Sequence, residues 1–268
     1  MSRLADRFAA IRREARAGLV TFTTAGDPDL PRSADILLTL DRAGADVLEI
    51  GVPFSDPLAD GPVIQRATER ALAAGGSLRK TLGLVSSIRG QVSAPMVIFS
   101  YANPIIRMGV EPFARAAADA GVDGVLALDL PIEEAEEFRE ALAAVGIDTI
   151  FLLSPTTTDA RIAKAAELGR GFLYGISRLG VTGARDRVAS GAEALVSRIR
   201  ARSDMPIALG FGISTPAHVA EVGAYADAAV VGSALVDLIA GASDSPELLS
   251  RVETYVRSLR QACATARA

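Results

Sequence analysis

Eight short apolar runs, at residues 20–24, 47–51, 96–100, 124–128, 149–153, 172–176, 207–210 and 228–231, alternate with amphipathic, Ala-rich stretches such as 32–43, 110–120 and 133–145. Strand-length runs alternating with helix-length ones specify βαβ units, and therefore a parallel sheet covered by helices. Eight repeats in 268 residues favour a closed barrel over an open sheet. The expected fold is α/β, a (β/α)8 TIM barrel forming a single domain over residues 1–268. A faint internal repeat agrees: Ala43-Gly44-Ala45-Asp46 leads into one run, and Ala120-Gly121-Val122-Asp123 into another. In each, Gly suits a helix C-cap and Asp a tight turn before the next strand. Residues 2–16 read as an extra N-terminal helix able to cover the barrel floor, and residues 246–264 as the last helix.

A chain this long buries enough surface to need neither disulfide nor metal. Its one cysteine, Cys263, excludes an internal bridge, and its one histidine, His218, excludes a His-rich metal site, so no metal is expected. His218, in the first turn of a helix, reads as a surface residue. Net charge is −4 and the scattered basic residues form no stripe interleaved with aromatics, so no nucleic acid partner is expected. No apolar run approaches the ~18 residues of a membrane span. The charged start, Met1 to Phe8, has no signal-type apolar core, and the expectation is no membrane and a cytoplasmic location.

In barrels of this kind, chemistry sits where strands end and βα loops begin. On the second run, Val47, Glu49 and Gly51 share one face, and Leu48 and Ile50 the other. If the second face packs on helices, Glu49 points into the barrel. An inward carboxylate is costly unless paired. A salt bridge is the bland alternative, but none of the eight runs contains Lys or Arg. Glu49 is therefore expected to be functional, with desolvation raising its pKa toward the range useful for acid–base work. The following loop carries Asp56 and Asp60. Charge does not choose between them, and either reads equally well as a turn residue.

Glycine clusters follow the last three runs: Gly180-Val181-Thr182-Gly183, Gly210-Phe211-Gly212-Ile213 and Gly232-Ser233-Ala234. Each alone reads as a turn. Together, in register with strand ends, they suit backbone N–H groups approaching a phosphate, with Ser233 capping a helix N-terminus. Phe22, Phe99, Leu126, Leu152 and Tyr174 are placed either to line a pocket for a flat ring or simply to fill the barrel. The Tyr174 hydroxyl needs a partner near the mouth.

Residues 48–65, reading Leu-Glu-Ile-Gly-Val-Pro-Phe-Ser-Asp-Pro-Leu-Ala-Asp-Gly-Pro-Val-Ile-Gln, closely resemble the signature of the tryptophan synthase α subunit family. Phe22-Thr23-Thr24-Ala25-Gly26-Asp27-Pro28, Tyr101-Ala102-Asn103-Pro104-Ile105 and the glycine motifs at 180–183 and 210–213 extend the resemblance over nearly the whole chain. It implies retro-aldol cleavage of indole-3-glycerol phosphate to indole and glyceraldehyde 3-phosphate, with no cofactor in this chain. By position, Glu49 matches the acid–base residue, Asp60 the carboxylate that accepts the indole N–H, and Tyr174 a tyrosine near Glu49. Gly183, Gly212, Gly232 and Ser233 match a phosphate cradle, bordered by Ile213. Thr182 matches a threonine orienting Asp60, within a lid over 178–190. Phe211 joins Phe22, Phe99, Leu126 and Leu152 around the indole. Phe172 stands where tyrosine is common, implying an altered pocket edge.

The resemblance further implies a tryptophan synthase β subunit as partner in an α2β2 complex. That subunit carries pyridoxal phosphate, and Asp56-Pro57 and Asn103-Pro104 would face it. Other readings are a stand-alone indole-3-glycerol phosphate lyase, a non-catalytic activating subunit and another phosphate-binding barrel. The intact Glu49 and Asp60 speak against the last two.

Overall fold

The computed structural model describes residues 2–176, 191–210 and 212–265. Among them nine parallel strands form one sheet: β1 (Gly18–Thr24), β2 (Val47–Gly51), β3 (Met96–Ser100), β4 (Gly124–Ala127), β5 (Asp148–Thr149), β6 (Leu152–Leu153), β7 (Leu173–Ile176), β8 (Ile207–Gly210) and β9 (Ala228–Val231). Their order is β5-β4-β3-β2-β1-β9-β8-β7-β6. The two outermost strands, β5 and β6, are consecutive pieces of the fifth expected run, so the sheet is a (β/α)8 barrel. Ile150 N–H donates to the Val125 carbonyl at 2.9 Å on one side, and the Phe151 carbonyl accepts from Tyr174 N–H at 3.0 Å on the other. The split follows from barrel geometry. Tilted strands are staggered, so the lower half of this segment meets β4 and its upper half meets β7.

Alternation sorts the side chains as expected. Leu48, Ile50, Met96 and Ile98 belong to the layer between sheet and helices, whereas Val20, Val47, Val97 and Tyr174 pack inside the barrel. A helix over Arg3–Arg13 closes the floor, inserting Leu4, Phe8 and Ile11 among the interior residues. Phe172 lies there too, fully buried, with its ring 5.3 Å from that of Phe8. The floor position corrects the expectation that Phe172 alters the pocket edge.

The aspartates before the strands act as floor staples. Asp46 accepts the Leu19 N–H at 2.9 Å and a two-pronged Arg16 contact at 2.7 Å. Asp123 accepts the Met96 N–H, and Asp227 the Ile207 N–H. Gly44 and Gly121, the glycines of the repeat, end their helices at φ of +99° and +83°, a region that disfavours a side chain.

Some boundaries differ from the sequence reading. The helix expected over 32–43 begins at Leu30, because Asp29 caps it and Pro31 is tolerated in a first turn. The one expected over 133–145 is a single turn at Ile132–Glu134 followed by Glu136–Ala144, with no side chain capping its start. The last helix spans Leu248–Thr265. His218 is buried rather than on the surface, its Nδ1 accepting the Ser214 N–H at 3.3 Å.

Candidate active site

At the C-terminal mouth a cleft of about 670 Å³ is lined by Phe22, Phe99, Leu152, Tyr174, Asp60, Gly212, Ile213, Gly232 and Ser233. Ala59, Ile64, Leu128, Val230 and Ala234 complete the wall. The first-named residues, singled out in the sequence, thus converge from seven segments of the chain. Phe22 and Phe99 meet edge to face, with ring centroids 5.3 Å apart, and Tyr174 follows at 6.5 Å from Phe99. The result is an apolar slot suited to a flat ring.

Two glycines make room for this wall. A Cβ on Gly51 would stand 2.6 Å from Phe22 Cζ, and one on Gly210 would stand 2.7 Å from the Tyr174 hydroxyl. The Phe22 and Tyr174 rings can occupy their positions only because neither glycine has a side chain. Leu126 does not reach the cleft. It is fully buried one layer lower, and Leu128, two residues further along the same face, takes the lining position. Extending the alternation to the strand end would have found Leu128. Ile64, on the helix Pro62–Ala73, carries no such signal.

Glu49 lies beneath this wall, level with Phe22 on β1 and Val97 on β3. Its exposure is 0 %, and among the described residues neither carboxyl oxygen has a hydrogen-bond partner. Burial alone pushes its pKa up to about 8, so at neutral pH it holds its proton. The sequence reading expected partial desolvation, and the structure makes it complete. Burial pushes the Tyr174 phenol upward, and the neighbouring Glu49 carboxyl, once ionised at high pH, adds to the rise, so Tyr174 too stays protonated.

Asp60 and Asp56 are distinguished at once. Asp56 is exposed and accepts the Ser55 hydroxyl at 2.6 Å, whereas Asp60 is only 9 % exposed and faces the cleft. Burial pushes Asp60 up to about 6, and a 3.1 Å hydrogen bond from the Tyr101 hydroxyl opposes that rise. At neutral pH Asp60 remains mostly an anion. The site therefore pairs one carboxyl that keeps its proton with one that has lost it, set apart by environment rather than residue type.

After β9, which only β1 separates from β2, a helix over Ser233–Gly241 begins at the cleft edge. Gly232, not Ser233, is its N-cap, and no side chain satisfies the first N–H groups. Ser233 is the first helical residue, which corrects the expected capping role. An unsatisfied helix N-terminus directed at a cleft favours an anion. Thr182 and Gly183, with the rest of the expected lid over 178–190, lie outside the described residues, and so does Phe211.

A (β/α)8 barrel with a carboxylate at its C-terminal mouth, a protonated acid buried beneath it and a helix N-terminus at the cleft edge defines an enzyme of proton transfer on a small anionic molecule. The family model described as tryptophan synthase alpha chain matches residues 8–264. The chain is 50% identical over 260 residues to the tryptophan synthase alpha chain of Geotalea uraniireducens, covering 97% of each. It is 49% identical over 262 residues to that of Geobacter sulfurreducens, covering 98% of this chain and 99% of the relative. It superposes on a structure of Mycobacterium tuberculosis tryptophan synthase with a TM-score of 0.91 at 39% identity, covering 98% of both chains. Tryptophan synthase subunit alpha of Legionella pneumophila gives 0.90 at 34% identity, again covering 98% of both. The chain belongs to the tryptophan synthase alpha chain family.

Proposed function

We propose that this chain cleaves indole-3-glycerol phosphate to indole and glyceraldehyde 3-phosphate, and that Glu49 and Asp60 carry the chemistry. The observation that supports this most is the contrast between the two carboxyls: Glu49 buried, unpaired and pushed up to about 8, Asp60 only to about 6. Glu49 donates its proton to C3 of the indole ring. The ring gains positive charge, which Asp60 stabilises while accepting the indole N–H. Removal of a proton from the glycerol hydroxyl next to the scissile bond forms the aldehyde. The bonding electrons return to the ring, and Glu49, now a base, is placed to take that proton. Tyr174, protonated beside Glu49, borders the reacting carbon, and Phe22, Phe99 and Leu152 hold the ring. Gly212, Gly232 and Ser233 receive the phosphate on backbone N–H groups, so the scissile bond is held between two anchored ends.

In this reading the chain uses no cofactor of its own, and its partner is a β subunit that carries pyridoxal phosphate and consumes the indole. Asp56, exposed on the loop after β2, and Asn103, exposed in the helix Ala102–Met108 after β3 rather than on a loop, suit that contact. No helix among the described residues is long and apolar enough to cross a membrane.

An indole-release assay tests the proposal. The purified chain turns over indole-3-glycerol phosphate, and added β subunit raises the rate. A high basal rate indifferent to β subunit marks a stand-alone lyase, and no turnover under either condition sinks the reading. The pH profile of kcat/KM is a bell. Its acid limb lies near 6, where Asp60 ionises, and its alkaline limb near 8, where Glu49 loses its proton. A second variant checks the phosphate end. Ser233→Asp sets like charges together and weakens substrate binding at least ~30-fold (about 2 kcal/mol). Unchanged affinity would move the phosphate elsewhere.

A further inference from the structure

Tyr101 follows β3 directly, is almost fully buried, and does not line the cleft. Its hydroxyl accepts the Ala59 N–H at 3.0 Å and donates to Asp60 Oδ2 at 3.1 Å. The direction of this pair is forced. A backbone N–H can only donate, so the phenol uses a lone pair on Ala59 and has its single proton left for Asp60. The ring is held as well: Phe54 packs against it with centroids 5.2 Å apart, and the next N–H, that of Ala102, donates to Asp129 Oδ1 at 2.6 Å. Tyr101 is thus fixed to the loop after β2 by its hydroxyl and ring, and to the loop after β4 by its backbone neighbour.

We propose that Tyr101 is a positioning residue for Asp60, aiming its carboxylate into the cleft and favouring its charged form through a hydrogen bond of fixed direction. The inference rests on the role given to Asp60 above. A donated hydrogen bond is stronger to a carboxylate than to a carboxylic acid. It therefore opposes the burial that lifts Asp60 to about 6. The other ionisable groups around the cleft do not supply this. Asp129, on the loop after β4, bears on Tyr101 with like charge to Asp60, and Glu49, on β2, bears on Tyr174, on β7.

The test is Tyr101→Phe, which removes one oxygen and keeps the ring against Phe54. Losing a donor to the anion raises the pKa of Asp60, so the acid limb of kcat/KM moves to higher pH by about one pH unit. The deficit relative to the unaltered chain is then about fivefold or more near pH 6 and shrinks toward pH 8, where Asp60 is ionised in both. A merely structural role would lower the rate equally at all pH values. Affinity for glycerol 3-phosphate, which probes the helix start at Gly232 and not the Tyr101–Asp60 hydrogen bond, stays unchanged. An unmoved acid limb, or loss of glycerol 3-phosphate binding, overturns the proposal. Asp60→Asn separates the two levels. Normal turnover in that variant sinks the role of Asp60 itself, whereas an inactive Asp60→Asn beside an unshifted Tyr101→Phe sinks only the role of Tyr101.

Discussion

Glu49→Gln abolishes cleavage, lowering kcat by at least ~10³-fold, while glycerol 3-phosphate binds within a few fold of the unaltered chain. The magnitude is that of a positioned general acid–base group, and in the proposed mechanism one side chain serves both proton transfers. Glutamine keeps the shape and occupies the same buried site, but it has no proton to give at neutral pH and no basic oxygen to take one back. In the proposed arrangement the phosphate sits on the helix start at Gly232 and Ser233, which follows β9 and is separated from β2 by β1, so the substitution leaves it in place. Steady-state turnover and a titration with glycerol 3-phosphate measure the two halves. Near-normal turnover in this variant would remove Glu49 from the chemistry.

The same substitution changes how stability depends on pH. In the folded chain Glu49 keeps its proton up to about 8, against an ordinary value of 4.5. Between those values the unfolded chain has released the proton and the folded chain still binds it, so raising the pH favours unfolding. The contribution is complete below 4.5 and is lost as pH rises through 8. At ~1.4 kcal/mol per pH unit, the unaltered chain loses about 4 kcal/mol more than Glu49→Gln between pH 5 and pH 9. Comparing the variant with the unaltered chain at each pH cancels the other titrating groups. Urea unfolding at the two pH values reads the difference directly. Equal losses in both chains would mean that Glu49 ionises freely in the fold, and its role as a resident acid would go with it.

Much of this site is legible before any coordinates. Period-two alternation places Glu49 inside the barrel, and the absence of Lys and Arg from the strand runs anticipates a carboxyl without an ion partner. What alternation cannot supply is depth. It assigns a face but not a layer, so Leu126 and Leu128 are equivalent in the sequence and only the second reaches the cleft. Loop residues carry still less periodicity. Asp56 and Asp60 look alike until the chain folds the first toward solvent and the second against Tyr101. Tyr101 itself was visible only as part of a motif, because its partner lies 41 positions away. Helix starts are hard to read for different reasons: Gly232 caps without a side chain, whereas the ordinary Asp29 cap lies ahead of a Pro31 that stands inside the first turn rather than before it.

The rings of the interior form an unbroken column. Phe8 meets Phe172 at 5.3 Å, Phe172 meets Tyr174 at 6.4 Å, Tyr174 meets Phe99 at 6.5 Å, and Phe99 meets Phe22 at 5.3 Å. Phe8 belongs to the N-terminal helix, at the end of the barrel remote from the substrate. The acid strength of Glu49 depends on dryness from below as much as from above, and that helix is the stopper that keeps the shaft dry. A segment that never approaches the ligand thereby helps decide whether the enzyme has a proton to deliver.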